Sequence, residues 1–121
     1  GDRLAPGETV SFFVTANLIN GQGGAANCGI PAAATGVFAN VVAVLPQGSA
    51  MSNYLTVYPY GESRPLASTI NYPADINALA NGVLVPLCDP GVATCDYDLN
   101  VYNYTSLAAH LVIDVTGYLA E

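Results

Sequence analysis

Residues 107–119 read LAAHLVIDVTGYL, and the alternation inside this run decides the fold. Strand side chains point in turn to the two faces of a sheet. His110, Val112, Asp114 and Thr116 therefore share one face, and Leu111, Ile113 and Val115 share the other. The second face is wholly aliphatic and suits the core side of a sheet. The first is mixed, with two ionisable side chains placed two residues either side of Val112. Gly117 breaks the alternation and Tyr118 and Leu119 resume it, the pattern of a bulge or bend near a sheet edge. A closing strand of this length needs partners formed earlier, and most of the chain reads as those partners.

Working back from it, residues 96–104 (DYDLNVYNY) alternate with Tyr97, Leu99, Val101 and Asn103 on one face. Residues 83–87 form a short strand that Pro86 assigns to an edge or a strand end. Residues 73–81 have room for a helical turn, and Asn81-Gly82 is a turn signal. Residues 66–72 read as a short strand after the turn Gly61-Glu62-Ser63-Arg64-Pro65. In residues 54–60 (YLTVYPY), Leu55, Val57 and Pro59 oppose Tyr54, Thr56, Tyr58 and Tyr60. Residues 36–45 (GVFANVVAVL) are a nearly continuous apolar run, as in a central strand buried on both faces. A helix fits the length, but the valines and the closing Pro46-Gln47-Gly48 favour strand. Residues 17–34 are a long loop rich in Gly, Ala and Asn. Residues 9–16 (TVSFFVTA) have strand composition, and residues 1–8 are an extended lead-in. About seven strands separated by Gly, Pro and Asn turns predict an all-β protein: a single-domain antiparallel β-sandwich over residues 1–121, jelly-roll-like or Ig-like.

The bulk composition narrows the function. Charged residues make up 9% of the 121, against about 25% in an ordinary soluble domain. Lysine is absent, and Arg3 and Arg64 are the cations of a chain with net charge −7. That balance argues against nucleic acid or anionic lipid as partner, since both need basic patches. No apolar run approaches the roughly 18 residues of a membrane helix, so no membrane insertion is expected. The chain opens at Gly1-Asp2-Arg3 with no basic leader, as in a processed protein or a piece of a longer one. With so few charges, the exposed surface must be built from neutral polar and aliphatic side chains. It suits either a neutral secreted domain or a subunit that packs against its own copies.

Several stretches also resemble a β-rich module of secreted bacterial proteins, often fused to hydrolases or arrayed in surface proteins. They are Cys28-Gly29-Ile30-Pro31-Ala32 before the valine-rich strand; Leu55-Thr56-Val57-Tyr58-Pro59; Arg64-Pro65-Leu66-Ala67-Ser68-Thr69-Ile70-Asn71-Tyr72; Ala80-Asn81-Gly82-Val83 with Val85-Pro86; and His110 to Tyr118. In order and spacing they cover about three quarters of the chain, and as a set they are fairly specific. The resemblance implies an extracellular β-sandwich-like module with no established catalytic residues, used as an accessory, adhesive or structural unit. Members usually begin with an Arg-Val-Leu-Asp-Thr-Arg-like segment before Leu-Ala-Pro-Gly, of which this chain keeps Arg3-Leu4-Ala5-Pro6-Gly7. A sandwich without its first strand exposes a sheet edge that a neighbour can fill by strand addition. Members also often carry a cysteine where this chain has Tyr60, so their disulfide pattern does not transfer.

The candidate sites are few. Cys88 and Cys95 flank a loop short enough to close as a hairpin disulfide. That leaves Cys28 for an intersubunit bond or a buried thiol, and Cys28 bonded to one of the two is the rival pairing. Three cysteines with one distant histidine make a poor zinc site. Asp89, Asp96 and Asp98 cluster near the same loop and carry the oxygen chemistry of Ca²⁺, although without a known loop motif; solvated loop acids are the plainer reading. His110 and Asp114 lie about 13 Å apart along an extended strand, too far for a catalytic pair. No nucleophile elbow, phosphate loop or metal-binding helix is present, so no enzyme activity and no cofactor are expected. Tyr54, Tyr58 and Tyr60 share a strand face, as in a sugar-stacking platform or in cross-strand packing within a sheet. Asn103-Tyr104-Thr105 matches the N-glycosylation pattern.

These readings converge on an extracellular or cell-surface structural subunit that self-assembles into a filament or array. Asp2, Arg3, Leu4, Ala5 and Pro6 are the segment expected at the contact between copies. The alternative is a carbohydrate- or cell-wall-binding accessory module. The lead-in discriminates: packing on a neighbour favours assembly, and a return to its own sheet weighs against it.

Overall fold

The computed structural model describes residues 3–15 and 29–120. Over those residues the chain forms seven strands: β1 (Thr9–Phe12), β2 (Ala34–Gln47), β3 (Ser52–Pro59), β4 (Ile70–Pro73), β5 (Ala78–Pro86), β6 (Leu99–Asn103) and β7 (Ala108–Ala120). All pairings are antiparallel. One sheet has the order β1-β6-β3-β4 and the other β5-β2-β7. The two pack face to face as the expected β-sandwich, with Leu55, Leu99 and Val101 of the first sheet and Val37 and Val41 of the second in one core.

β2 is the central strand of its sheet, as its valine-rich run predicts. Val37, Ala39, Val41 and Ala43 point inward and are buried. The expectation of burial on both faces is corrected: Phe38 is 43% exposed, and no described strand layers over the outer side. Aliphatic continuity on β2 thus reflects an uncovered apolar face rather than a second core. β7 pairs with β2 alone and lies at the edge. Its inward side is the aliphatic one, with Leu111, Ile113 and Val115 against the core. The irregularity near Gly117 is a β-bulge. Ala39 pairs with Val115 while Phe38 pairs with Gly117, so Thr116 is the extra residue.

Two local readings fail. Asn81-Gly82 is not a turn, and no helical turn precedes it: β5 runs straight through, with Val41 opposite Asn81 and Asn40 opposite Gly82. The Asn81 side chain, which favours a turn when it bonds its own backbone, instead donates to the Thr69 carbonyl at 2.9 Å. The strand foreseen at residues 66–72 is confined to Ile70–Pro73. The residues before it lie along β3, where Thr56 donates to the Ala67 carbonyl at 3.1 Å and the Val57 amide donates to the Thr69 hydroxyl at 2.8 Å.

At one end of the core sits a polar knot. Asn53, Tyr72 and Asn103 are all buried. The Tyr72 hydroxyl donates to Asn103 Oδ1 at 2.7 Å and accepts from Asn53 Nδ2 at 2.9 Å. Asn53 Nδ2 also reaches Asn103 Oδ1 and the carbonyls of Tyr104 and Leu107. Asn103 Nδ2 reaches the carbonyls of Leu4, Ala5 and Leu107, the last at 2.7 Å. Burial without partners costs a polar group roughly 1–3 kcal/mol; among the described residues no buried side-chain polar atom lacks one.

This knot draws in the lead-in. Leu4 is buried and forms a two-way bridge with Ala109, its amide donating at 2.7 Å and its carbonyl accepting at 3.2 Å. Gly7, at a φ of 81° that favours glycine, turns the chain so that its amide meets the Asn103 carbonyl at 2.8 Å. Arg3 Nε donates to the Leu45 carbonyl at 2.9 Å, at a residue whose own φ is 47°. Arg3 to Glu8 therefore return to their own sheets rather than lying free for a neighbour.

Asn103→Ala removes the acceptor of the Tyr72 hydroxyl and one of two donors from each of the Leu4, Ala5 and Leu107 carbonyls, and is expected to lower unfolding free energy by roughly 2 kcal/mol in urea titration. Burial raises the pKa of Tyr72 above 10.0, with the Asn53 and Asn103 hydrogen bonds pulling the other way. Its contribution to stability is therefore complete below pH 10 and lost as pH rises through the higher folded value. The urea midpoint of the wild type should fall more steeply above pH 10 than that of Tyr72→Phe; parallel curves would remove Tyr72 as the cause.

Candidate functional site

Among the described residues no strand covers the outer side of the β5-β2-β7 sheet or the edge of β7 beyond the Leu4 bridge. The two-way bridge to Leu4 shows that the amide and carbonyl of Ala109 point away from β2. Backbone groups alternate along an antiparallel strand, so those of Leu111, Ile113 and Val115 point the same way. Beyond Ala109 that row meets no other strand among the described residues. β7 is 13 residues long and contains no Lys, Arg or Pro, the residues that usually blunt an edge.

The adjoining outer face is apolar. Val112 is 49% exposed and Leu84 48%. Leu84 and Leu119 flank Gly36, where an added Cβ would lie 3.3 Å from the Val85 carbonyl. A shallow open groove of about 320 Å³ runs past Phe38, Asn40, Gly82, Leu84 and Thr116. Two ionisable groups sit on this face of β7: His110, opposite Val44, and Asp114, opposite Asn40. Such an arrangement offers hydrogen-bonding backbone and apolar contact area.

The residues singled out from sequence fare unequally. Cys88 and Cys95 form the disulfide, with Cα atoms 5.7 Å apart. Cys28 and Asp2 lie outside the described residues. The three loop acids do not converge, and no metal-holding group of carboxylate, His or Cys side chains occurs among the described residues. Asp98 is turned inward, where Oδ2 accepts from the amides of Val14 and Thr15 at 2.7 and 3.1 Å and from the Thr15 hydroxyl. Asp89 accepts from the Gly91 amide at 2.8 Å and closes its own turn.

The tyrosines form no open row. Tyr58 is buried, and Tyr60 lies beyond the end of β3 with its ring 5.6 Å from that of Tyr97. Tyr54 instead stacks on Tyr104 at 4.5 Å, while the Arg64 guanidinium covers Tyr102 at 3.7 Å from its centroid. The aromatic side chains serve mainly as cross-strand packing on the first sheet.

Sequence reasoning missed the polar knot. Its signal was present: Asn103 has the inward parity of Leu99 and Val101, and Asn53 that of Leu55, so each is a polar group in a core position. Asn103 is also no glycan acceptor in the folded chain. It is 0% exposed, and both ends of its amide are bonded. Secretion from a glycosylating host should leave Asn103 unmodified by peptide mass mapping; substantial occupancy would mean that the chain had been modified before folding and that the knot was not formed.

Comparison of the chain with family models, curated proteins and solved structures finds no match.

Proposed function

We propose that this chain is an extracellular structural subunit that self-associates through β-strand and neutral-surface contacts into a filament or surface array. The observation that carries the reading is the edge of β7, long, without Lys, Arg or Pro and with no strand beside it among the described residues, next to an apolar sheet face. An unpaired edge of this kind is a template for another strand, and exposed apolar patches tend to mark association surfaces. The lead-in folds back on its own chain, which weighs against the contact expected at Arg3, Leu4, Ala5 and Pro6; the contact is assigned to β7 and the outer face instead. Edge and face are adjoining surfaces, and a subunit with two isologous self-contacts extends into an open chain where one isologous contact alone stops at a dimer. The Cys88–Cys95 disulfide and the resemblance to a secreted module support the extracellular setting.

A second reading, a carbohydrate- or wall-binding accessory module, draws on the stacked Tyr54–Tyr104 pair, of which Tyr104 stays 39% exposed. Sedimentation across a concentration series, with negative-stain microscopy of the same samples, separates the two. Self-association is expected to give species larger than one chain, growing with concentration, under non-reducing and reducing conditions alike. A dispersed monomer at the highest concentration, retained on glycan or cell-wall resin, would sink the assembly reading and favour binding.

A further inference from the structure

Asn81-Gly82 has the composition of a turn and the position of an edge strand, and that combination gives it a chemistry of its own. We propose that Asn81 is a modification site, where the Gly82 nitrogen displaces ammonia from the Asn81 side chain and so unties β5 from the segment beside β3. The site is independent of self-association.

Three observations place it. First, among the described residues Asn81 is the one asparagine followed by glycine, and a residue without a Cβ leaves its nitrogen open to close approach. Second, the Gly82 nitrogen is not held by the ladder. The Leu45 amide bonds the Asn77 carbonyl and the Leu87 amide bonds the Thr35 carbonyl, one at each end of the β2–β5 pairing. Antiparallel pairs alternate between those that exchange bonds and those that do not. Counted by twos from either end, Val41 and Asn81 exchange bonds, whereas Asn40 and Gly82 do not. The Gly82 N–H therefore points away from β2, to the outer edge of β5, which no other described strand joins. Third, both residues are exposed, so water reaches the reacting atoms.

The reaction is self-contained. The Gly82 nitrogen attacks Asn81 Cγ and a C–N bond forms. The side-chain nitrogen leaves as ammonia, carrying the proton that Gly82 loses. Water then opens the five-membered imide. Cleavage at Cγ leaves an aspartate in a normal backbone, and cleavage at the α-carbonyl leaves an isoaspartate with the chain running through the side chain.

Either product undoes a specific contact. Asn81 Nδ2 donates to the Thr69 carbonyl at 2.9 Å. Thr69 in turn holds β3, its amide donating to the Leu55 carbonyl at 2.7 Å and its hydroxyl accepting from the Val57 amide at 2.8 Å. A carboxylate accepts hydrogen bonds only, so the new oxygen repels the carbonyl that the amide had bonded. Isoaspartate also adds a backbone carbon opposite Val41 and breaks the register of β5.

The fold sets the pace. Extended backbone keeps the Gly82 nitrogen from Asn81 Cγ, and the bond to Thr69 holds the side chain aside, so the step proceeds from a locally opened strand. Ala78 to Gly82 are all exposed, and an edge segment with little buried surface opens at low cost.

Incubation of the folded protein at mildly alkaline pH, followed by residue-resolved peptide mapping, tests the site. Mapping by residue separates it from Asn20-Gly21, which lies outside the described residues. Asn81 is expected to convert to a mixture of Asp and isoaspartate about tenfold or more faster than Asn77, which is exposed but precedes alanine. Gly82→Ala should slow the conversion about tenfold or more; its Cβ would lie 3.4 Å from Asn40 Oδ1, an ordinary contact. Asn81→Asp, made directly, should speed amide hydrogen exchange at Val57 and Thr69 about tenfold while leaving the core amides protected. If Asn81 stays intact as long as Asn77 does, or if Gly82→Ala converts at the wild-type rate, the site falls. Unchanged exchange at Val57 and Thr69 in Asn81→Asp would remove the untying.

Discussion

The amide of Asn103 holds the sandwich shut. Its nitrogen bonds the carbonyls of Leu4, Ala5 and Leu107, and its oxygen takes hydrogens from Tyr72 and Asn53. One side chain thereby fixes the lead-in, the β3–β4 pair and the turn into β7. Apolar burial alone is non-directional and would pack Leu4 against the core in more than one way. The hydrogen bonds select a single entry angle for the chain, and from that angle follows the bridge of Leu4 to Ala109. The pairing with β2 decides which backbone groups of β7 face outward, and the bridge caps those of Ala109. A buried amide at the other side of the turn thus helps to close one end of that edge.

The four sheet edges are not equivalent. β1 and β4 are four residues each, too short to template a long pairing. β5 ends at Pro86 and is tied to the first sheet by the Asn81–Thr69 hydrogen bond. Among the described residues β7 has none of these devices over residues 111–115. Natural sheets usually blunt a long edge with lysine, proline or a bulge; here only the bulge at Thr116 is present, and it lies beyond the regular stretch. An edge left open over one short, regular segment limits how far a partner strand can run, and that limit is what makes a register specific rather than a general tendency to stick.

The period-two pattern made the strands legible. Alternation in residues 107–119 placed the inner and outer faces of β7 correctly, and Gly117 marked the bulge to within one residue. Composition alone could not say which strands would be edges, because pairing partners are set by long-range packing. It therefore misread the aliphatic outer face of β2 as buried. Asn81-Gly82 misled for a related reason: its turn preference is local, and the ladder between β2 and β5 with the bond to Thr69 outweighs it. The polar knot was hidden by habit rather than by physics. Asn103 drew attention as part of a surface acceptor pattern, although its parity already placed it beside Leu99 and Val101 in the core. Likewise the loop acids looked like ligands only until the amides of Val14 and Thr15 claimed Asp98.

The net charge of −7 at first weighs against copies of this chain meeting, since like-charged subunits repel. Its distribution removes the objection. Within the strands of the β5-β2-β7 sheet there is one carboxylate, Asp114, and no Lys or Arg; the other acids fall in the lead-in, in loops or at the chain's end. Charges separated by more than about 8 Å of physiological saline are largely screened, so among the residues of these three strands Asp114 is the one acid that would repel its own copy at this face. The same sparseness of charge leaves the outer face apolar, and an apolar face meets a like surface at little electrostatic cost.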